Sequence, residues 1–162
     1  MSGGVELMPA ARVHAEVLAG MHHICFAEPW SAASFSEVLA MAGAEGLIAI
    51  DGGSLVPSAD SPGPAGFVLW RRALDEAEIL TLAVLPPWRR AGLGGRLLSR
   101  ALADAQAAGA AWMFLEVAAD NQAALALYRA RGFETVGLRK GYYGATDGVT
   151  MRRQLSSVAI DS

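Results

Sequence analysis

Apolar positions along the chain switch repeatedly between helical and strand spacing, and the switches mark out its elements. Val5 to Met8 reads as a short strand closed by Pro9. Over Ala10 to Phe26, Val13, Val17, Leu18, Met21 and Ile24 recur at helical spacing, which predicts a helix with one inward face. Pro29-Trp30-Ser31 interrupts it, and Ser31 is placed to cap a second helix running to about Ala42, with Phe35, Val38 and Leu39 inward. Gly46 to Asp51 predicts a strand, and Gly52 to Pro64, rich in Gly, Ser, Pro and Asp, a loop. Ala65 to Arg71 and Glu76 to Val84 predict two strands joined as a hairpin through Ala73-Leu74-Asp75.

The second half opens where Pro86-Pro87, lacking ladder N–H groups, stop the apolar run Ile79 to Leu85. Arg89-Arg90-Ala91-Gly92-Leu93-Gly94-Gly95 then leads into an amphipathic helix to about Ala108, ended by Gly109. Ala111 to Val117 predicts a strand that is apolar apart from Glu116. Asn121 begins a helix carrying Ala124, Leu125, Leu127 and Tyr128 and closed at Gly132; Phe133 to Leu138 and Thr150 to Leu155 are the last strands. A strand–helix–strand passage of this kind makes Glu76–Val84 and Ala111–Val117 parallel neighbours. No internal repeat is visible.

A chain of 162 residues, 53% hydrophobic and 18% charged, can fill a core, and it predicts one domain over 1–155 with a loose tail at 156–162. The net charge of -3 argues against a general nucleic-acid binder. A single cysteine excludes an internal disulfide, and His14, His22 and His23 with Cys25 match no zinc spacing, so no metal is expected. Cys25, among apolar neighbours, reads as a plain buried thiol. No stretch is long and apolar enough for a bilayer, and the N-terminus has no basic segment followed by an apolar one. A cytoplasmic protein without membrane or direct nucleic-acid partners is the expectation.

The turn at 89–95 carries the first candidate chemistry. A strand feeding a glycine-rich turn and a helix offers unpaired N–H groups and a positive helix end to an anion. Arg89, Arg90 and Arg96 add full charges, so the turn suits phosphate. It lacks the GxxxxGK(S/T) string of nucleoside-triphosphate loops, and Leu97 stands where a dinucleotide fingerprint would need a third glycine. On these residues alone, an ordinary strand-to-helix turn stays open.

The pattern R-x-x-G-x-G, Arg89 to Gly94, resembles the coenzyme A signature of the GNAT superfamily of N-acetyltransferases. Leu115 to Tyr143 is similar to its RimI-like group, the ribosomal-protein alanine N-acetyltransferases: Leu115-Glu116-Val117, Asn121, Leu127-Tyr128, Gly132-Phe133, Arg139 and Tyr142-Tyr143 carry the likeness. Pro29-Trp30-Ser31 with Phe35, and Leu74-Asp75-Glu76-Ala77, extend it upstream, so it runs from near residue 26 to near residue 148. The chain departs from the group at Leu85, where an acidic residue is usual, and at Ala91, where a basic or polar one is common. It departs again at Val149, which follows Asp147-Gly148 directly where a short acidic stretch is usual.

The resemblance implies an α/β (α+β) GNAT fold, with a mixed, mostly antiparallel central sheet of about seven strands, ordinary in size, and flanking helices. It implies acetyl-CoA as cosubstrate, and direct attack by the N-terminal α-amine of an alanine on a protein, a ribosomal protein being the expected acceptor. The backbone of Leu82, Ala83 and Val84 would pair with the pantetheine arm, as would Asn121, which can also be a helix cap. Arg89, Arg90, Ala91, Gly92, Leu93, Gly94 and Gly95 would hold the pyrophosphate. An α-amine, with pKa about 8, is partly neutral at pH 7, whereas lysine near about 10.4 is not, so a modest base acting through water suffices. Glu116 would be that base, with Glu78 on the adjacent strand its rival; a strand-end carboxylate facing solvent is the other account of Glu116. Tyr128 would protonate the leaving thiolate, a core tyrosine being the alternative. Trp30, Tyr142 and Tyr143 would wall the peptide entrance, though core packing also accounts for them, and Glu28, Asp75 and Glu76 would favour a basic acceptor peptide. A lysine or small-amine acceptor on the same scaffold remains open. So does a non-catalytic coenzyme-binding module, although such a module needs neither Glu116 nor Tyr128.

Overall fold

Residues 4–52, 55–57 and 63–155 are described by a computed structural model. The expected tail at 156–162 and residues 53–54 and 58–62 of the expected loop lie outside the described residues. The chain divides into two units, Met1–Arg71 with Leu80–Ala101, and Arg72–Ile79 with Leu102–Ser162.

The first unit begins with β1 (Val5–Pro9), a 3-10 turn at Arg12–His14, then α1 (Ala15–Cys25) and α2 (Ala32–Leu39). It continues with β2 (Ala44–Asp51), β3 (Gly63–Ala73), the Leu80–Val84 part of β4 (Glu76–Val84), and the start of α3 (Leu93–Ala107). β1 runs antiparallel to β2, with Val5 opposite Asp51; β2 runs antiparallel to β3, with Ala44 opposite Arg71. Gly63 to Trp70 are all buried, as expected of a strand covered on both faces. Leu18, Met21, Phe35, Leu47, Ile48, Phe67, Leu69, Leu85, Leu97 and Leu98 fill the core. Each such side chain contributes about 1.5–3 kcal/mol on burial.

Two boundaries differ from the sequence reading. The helix expected from Ala10 starts as α-helix only at Ala15, and Val13, read as inward, is 82% exposed. The preceding residues form a 3-10 turn in which the Ala11 amide donates to His14 Nδ1 at 2.9 Å, so Val13 falls outside the helical period. β3 begins at Gly63, inside the stretch read as loop.

The second unit holds the Glu76–Ile79 part of β4, the end of α3, β5 (Trp112–Ala118), α4 (Gln122–Ala130), β6 (Glu134–Tyr143) and β7 (Thr146–Gln154). β4 and β5 are parallel, with Glu76 opposite Trp112 and Glu78 opposite Phe114, as the crossover predicted. β5 runs antiparallel to β7 from Trp112–Gln154 to Ala118–Gly148, and β6 runs antiparallel to β7. β6 was expected to stop at Leu138 and the last strand to begin at Thr150. Instead, they form one long hairpin that turns between Tyr143 and Thr146. Gly141 and Gly144, at φ 64 and 74, supply a bulge and a turn rather than strand ends. The Gly141 amide donates to Asp147 Oδ1 at 2.9 Å. The complete strand order is β1-β2-β3-β4-β5-β7-β6, a mixed and mostly antiparallel sheet. Among the described residues, no helix is long and apolar enough to cross a membrane.

Gly66 sets how closely β3 and β4 approach. A Cβ there would lie 2.7 Å from the Ala83 carbonyl oxygen and 3.3 Å from both Val84 Cα and Leu97 Cδ1. The nearest of these atoms is backbone and cannot rotate away. Gly66→Ala is therefore expected to cost about 1–3 kcal/mol, read as a lowered thermal midpoint; an unchanged midpoint would show that the two strands yield freely.

Candidate active site

β4 ends because its chain is turned away from the sheet. Leu85 N–H still bonds Ala65 O at 2.8 Å, and Pro86–Trp88 then form a 3-10 turn. Trp88, buried, anchors that turn by donating from Nε1 to Asp51 Oδ2 at 2.7 Å. Arg90 and Gly92 follow at φ 66 and 83, the left-handed region, while Arg89 before them is extended. Chains bent in this way, with left-handed residues at short spacing, direct successive N–H groups to one side. Gly92 adopts its φ without steric cost, whereas Arg90 does not. α3 then opens with Leu93, Gly94 and Gly95, whose amides a helix start leaves without intrahelical partners; Arg96 N–H already reaches Gly92 O at 3.1 Å.

The arginines grouped in the sequence are not equivalent. Arg89 folds back on the strand end, donating from Nε to Val84 O at 2.7 Å and from Nη2 to Cys25 Sγ at 3.8 Å. Arg96 donates from Nη2 to Val5 O at 3.4 Å, and Arg90 is exposed. Cys25 is half-buried, and burial pushes its thiol up, partly offset by Arg89.

Leu82, Ala83 and Val84 are half-buried, just beyond Thr81. Thr81 Oγ1 lies 3.2 Å from His22 Nε2. His22 Nδ1 accepts the Trp30 backbone N–H at 3.0 Å, so the ring proton sits on Nε2 and is donated to Thr81. The His22 ring stacks on Phe26 and Trp30 and meets Phe35 edge-on. Burial lowers its pKa from 6.5 to about 4. Trp30 is thus held by both its amide and its ring, which is tilted on Phe35 at 5.1 Å. Glu28 is exposed nearby in the sequence.

In the second unit, Glu116 occupies the half-buried face of β5 that also carries Trp112 and Phe114. Glu78, opposite Phe114, shares that face but is exposed. The Glu116 side chain is 16% exposed. Its Oε2 accepts from Thr150 Oγ1 and lies 3.6 Å from Arg139 Nε, while Oε1 is buried without a hydrogen-bond partner among the described residues. Tyr128 is buried on α4, and burial with the nearby Tyr143 pushes its hydroxyl up to about 12. Tyr143 is itself pushed up by burial, then by Tyr142 and Glu116. Tyr142 and Tyr143 meet edge to face at 4.9 Å, and Arg139 lies over the Tyr142 ring, also at 4.9 Å. Asn121 caps α4, its Oδ1 accepting from Ala124 N–H at 3.1 Å. Asp75 and Glu76 are exposed, and Asp75 O accepts from Ala111 N–H at 2.6 Å.

The sequence-predicted Glu116, Tyr128, Tyr142 and Tyr143 thus form one cluster. His22 was weighed only as a metal ligand, and Thr81 and Thr150 were given no role. Nothing in spacing marks Thr150, since its relation to Glu116 exists only through the β5–β7 register. Among the described residues, no group of three or more His, Cys, Asp or Glu could hold a metal ion.

The glycine-rich turn that follows β4 opens the helix α3, and the sheet is mixed and seven-stranded. Residues 16–133 match the Acetyltransferase (GNAT) family, and the chain belongs to it. It is 43% identical over 129 residues to the N-alpha-acetyltransferase RimI of Mycobacterium tuberculosis, covering 78% of this chain and 76% of that one. It is 42% identical over 84 residues to the ribosomal protein bS18-alanine N-acetyltransferase of Escherichia coli K12, over 52% of this chain; the match spans 57% of that relative's length. The crystal structure of the Escherichia coli ribosomal-protein-S18-alanine N-acetyltransferase superposes with a TM-score of 0.85 at 25% identity, over 98% of both chains.

The His22 environment gives a pH dependence of stability. Because the folded state holds the imidazole neutral down to about 4, the unfolded chain takes up a proton first, below 6.5. The contribution is complete above 6.5 and lost as pH falls towards about 4. Urea midpoints measured at about pH 7.5 and about pH 5 are expected to fall more in the native chain than in His22→Gln; equal falls would exclude His22 as the source.

Proposed function

We propose that the chain is an acetyl-CoA-dependent protein N-acetyltransferase that acts on the α-amine of an N-terminal alanine, with a ribosomal protein as acceptor. One observation carries the reading. A strand carboxylate, Glu116, has one oxygen held by Thr150 and the other buried and unpartnered, in the same cluster as a tyrosine that keeps its proton. A coenzyme-binding module would need neither group. The similarity to relatives named as alanine N-acetyltransferases supports the acceptor class. A ribosomal acceptor also implies a cytoplasmic location.

Glu116, acting through a water, removes the proton from the attacking amine; an α-amine is already partly neutral at pH 7, so a carboxylate suffices. The amine nitrogen attacks the thioester carbonyl, the C–S bond breaks, and Tyr128 gives its proton to the departing thiolate. A pKa of about 12 keeps that proton available throughout the working range. No acyl-enzyme forms. Glu78, exposed on the adjacent strand β4, is the rival base. The backbone of Leu82, Ala83 and Val84 receives the pantetheine arm as an added strand, with Asn121 a further partner. The turn from Arg90 to Gly95 holds the pyrophosphate on N–H groups, and Arg90 supplies the charge. Arg89 acts indirectly, by fixing the end of β4 through Val84 O. Trp30 in the first unit, and Tyr142 and Tyr143 in the second, each contact the acceptor, and Glu28, Asp75 and Glu76 attract a basic peptide.

The deciding experiment offers peptides beginning with Ala, Ser, Met and Gly, plus a blocked peptide with a free lysine, and follows thiol release. The alanine peptide is expected to react fastest and the blocked one not at all. Transfer to the lysine, or to small amines only, would overturn the acceptor. Tyr128→Phe and Glu116→Gln are each expected to lower kcat by roughly a hundredfold, with KM for acetyl-CoA little changed. If Glu78→Gln has this effect and Glu116→Gln has none, the base lies on β4.

Gly94→Asp places a side chain and a negative charge at the opening of α3, and is expected to abolish acetyl-CoA binding measured by calorimetry. Unchanged affinity would make 89–95 an ordinary turn.

A further inference from the structure

β5 and β7 pair so that Glu116 stands directly opposite Thr150. Opposed residues on an antiparallel pair carry their side chains on one face, close enough to touch. Thr150 is half-buried and donates its only hydroxyl proton to Glu116 Oε2. Arg139 Nε lies 3.6 Å from the same oxygen, but its side chain is 61% exposed and its attraction is screened. Both donors therefore address Oε2, and Oε1 is left buried with no partner among the described residues.

That asymmetry is what a directed base needs. A carboxylate free to rotate would share its proton affinity between two oxygens and let either face water. Threonine suits the task better than a longer donor, because its branched Cβ on a strand restricts the hydroxyl to few positions. We infer that Thr150 is the positioning residue for the general base, holding Glu116 by Oε2 so that Oε1 is the oxygen left to take, through the intervening water, the proton of the attacking amine. This rests on the reading of Glu116 as the base. Thr150 takes no proton itself, since its own is committed to the carboxylate. It acts only through Glu116.

The test is a cycle on the full chain with an alanine-terminated peptide as acceptor, using Thr150→Val, Thr150→Ser, Glu116→Gln and the Val–Gln double variant. Thr150→Val removes the donor and keeps the shape, and is expected to lower kcat by about tenfold or more with KM for acetyl-CoA unchanged. Thr150→Ser, which restores the hydroxyl, is expected to recover most of the rate. In the Glu116→Gln background, Thr150→Val is expected to cost nothing further, because a residue acting through Glu116 has no other route to the reaction. Thr150→Ala removes the same hydroxyl and takes the place of Thr150→Val if valine disturbs the strand. Full kcat without the hydroxyl, while Glu116→Gln is impaired, overturns the inference and leaves the base intact. Additive losses also overturn it. Full activity in Glu116→Gln removes the base and the inference together.

Discussion

Parallel pairing of β4 with β5 is the constraint from which the candidate site follows. A parallel neighbour cannot be reached by a hairpin, so the chain must leave the end of β4, cross over and return to the same edge. The exit is enforced by Pro86 and Pro87, which cannot continue a ladder, and fastened by Trp88 on Asp51 and Arg89 on Val84 O. The return leg is α3, and its start necessarily lies beside the strand end. Left-handed φ at Arg90 and Gly92 brings the amides of the turn and the first helical turn together. A turn of this conformation at the end of β4 is thus a by-product of topology, and Arg90 and Gly92 are the residues whose left-handed φ lets the chain make it.

Glu116 and Tyr128, the proposed base and acid, sit in contrasting environments. Tyr128, buried on α4 with its ring edge-on to Phe133, keeps its proton far beyond neutral pH. Glu116 is provided with donors instead, and on one oxygen only. His22 shows the same physics used for structure: its buried imidazole stays neutral because one nitrogen must accept from Trp30 while the other donates to Thr81.

Most of the fold was legible because local chemistry and topology agree. The proline pair and the Ser31 and Asn121 caps each point to one local structure, and the structure has it. Reading failed where a residue's meaning depends on a distant partner. Val13 fits the helical period, but a 3-10 turn tied by His14 takes it out of register. The strand read as ending at Leu138 continues to Tyr143, and only the pairing of β6 with β7 shows Gly141 and Gly144 as a bulge and a turn. Arg89, Arg90 and Arg96 read as one cationic patch, yet Arg89 and Arg96 bond backbone carbonyls. Thr150 carries no local signal because its partner lies 34 residues away in the chain.

The departure at Val149 has a structural counterpart. Gly148, immediately before it, is buried, and a Cβ there would meet Tyr142 Cβ and Cδ2 at 3.0 Å. The tyrosine ring therefore rests on the space that a side chain at 148 would fill. Shortening the segment after Gly148 lets β7 run unbroken from Thr146, and this holds Thr150 in register with Glu116. An inserted acidic stretch would have to be looped out of that ladder or would shift it, and a shift of a single residue would turn Thr150 to the opposite face. The group usually carries such a stretch there. Its absence leaves Tyr142, Tyr143 and Arg139 as the groups beside Glu116, and on the proposed reading it is this aromatic pair and cation, rather than carboxylates at the start of the last strand, that an acceptor peptide would meet.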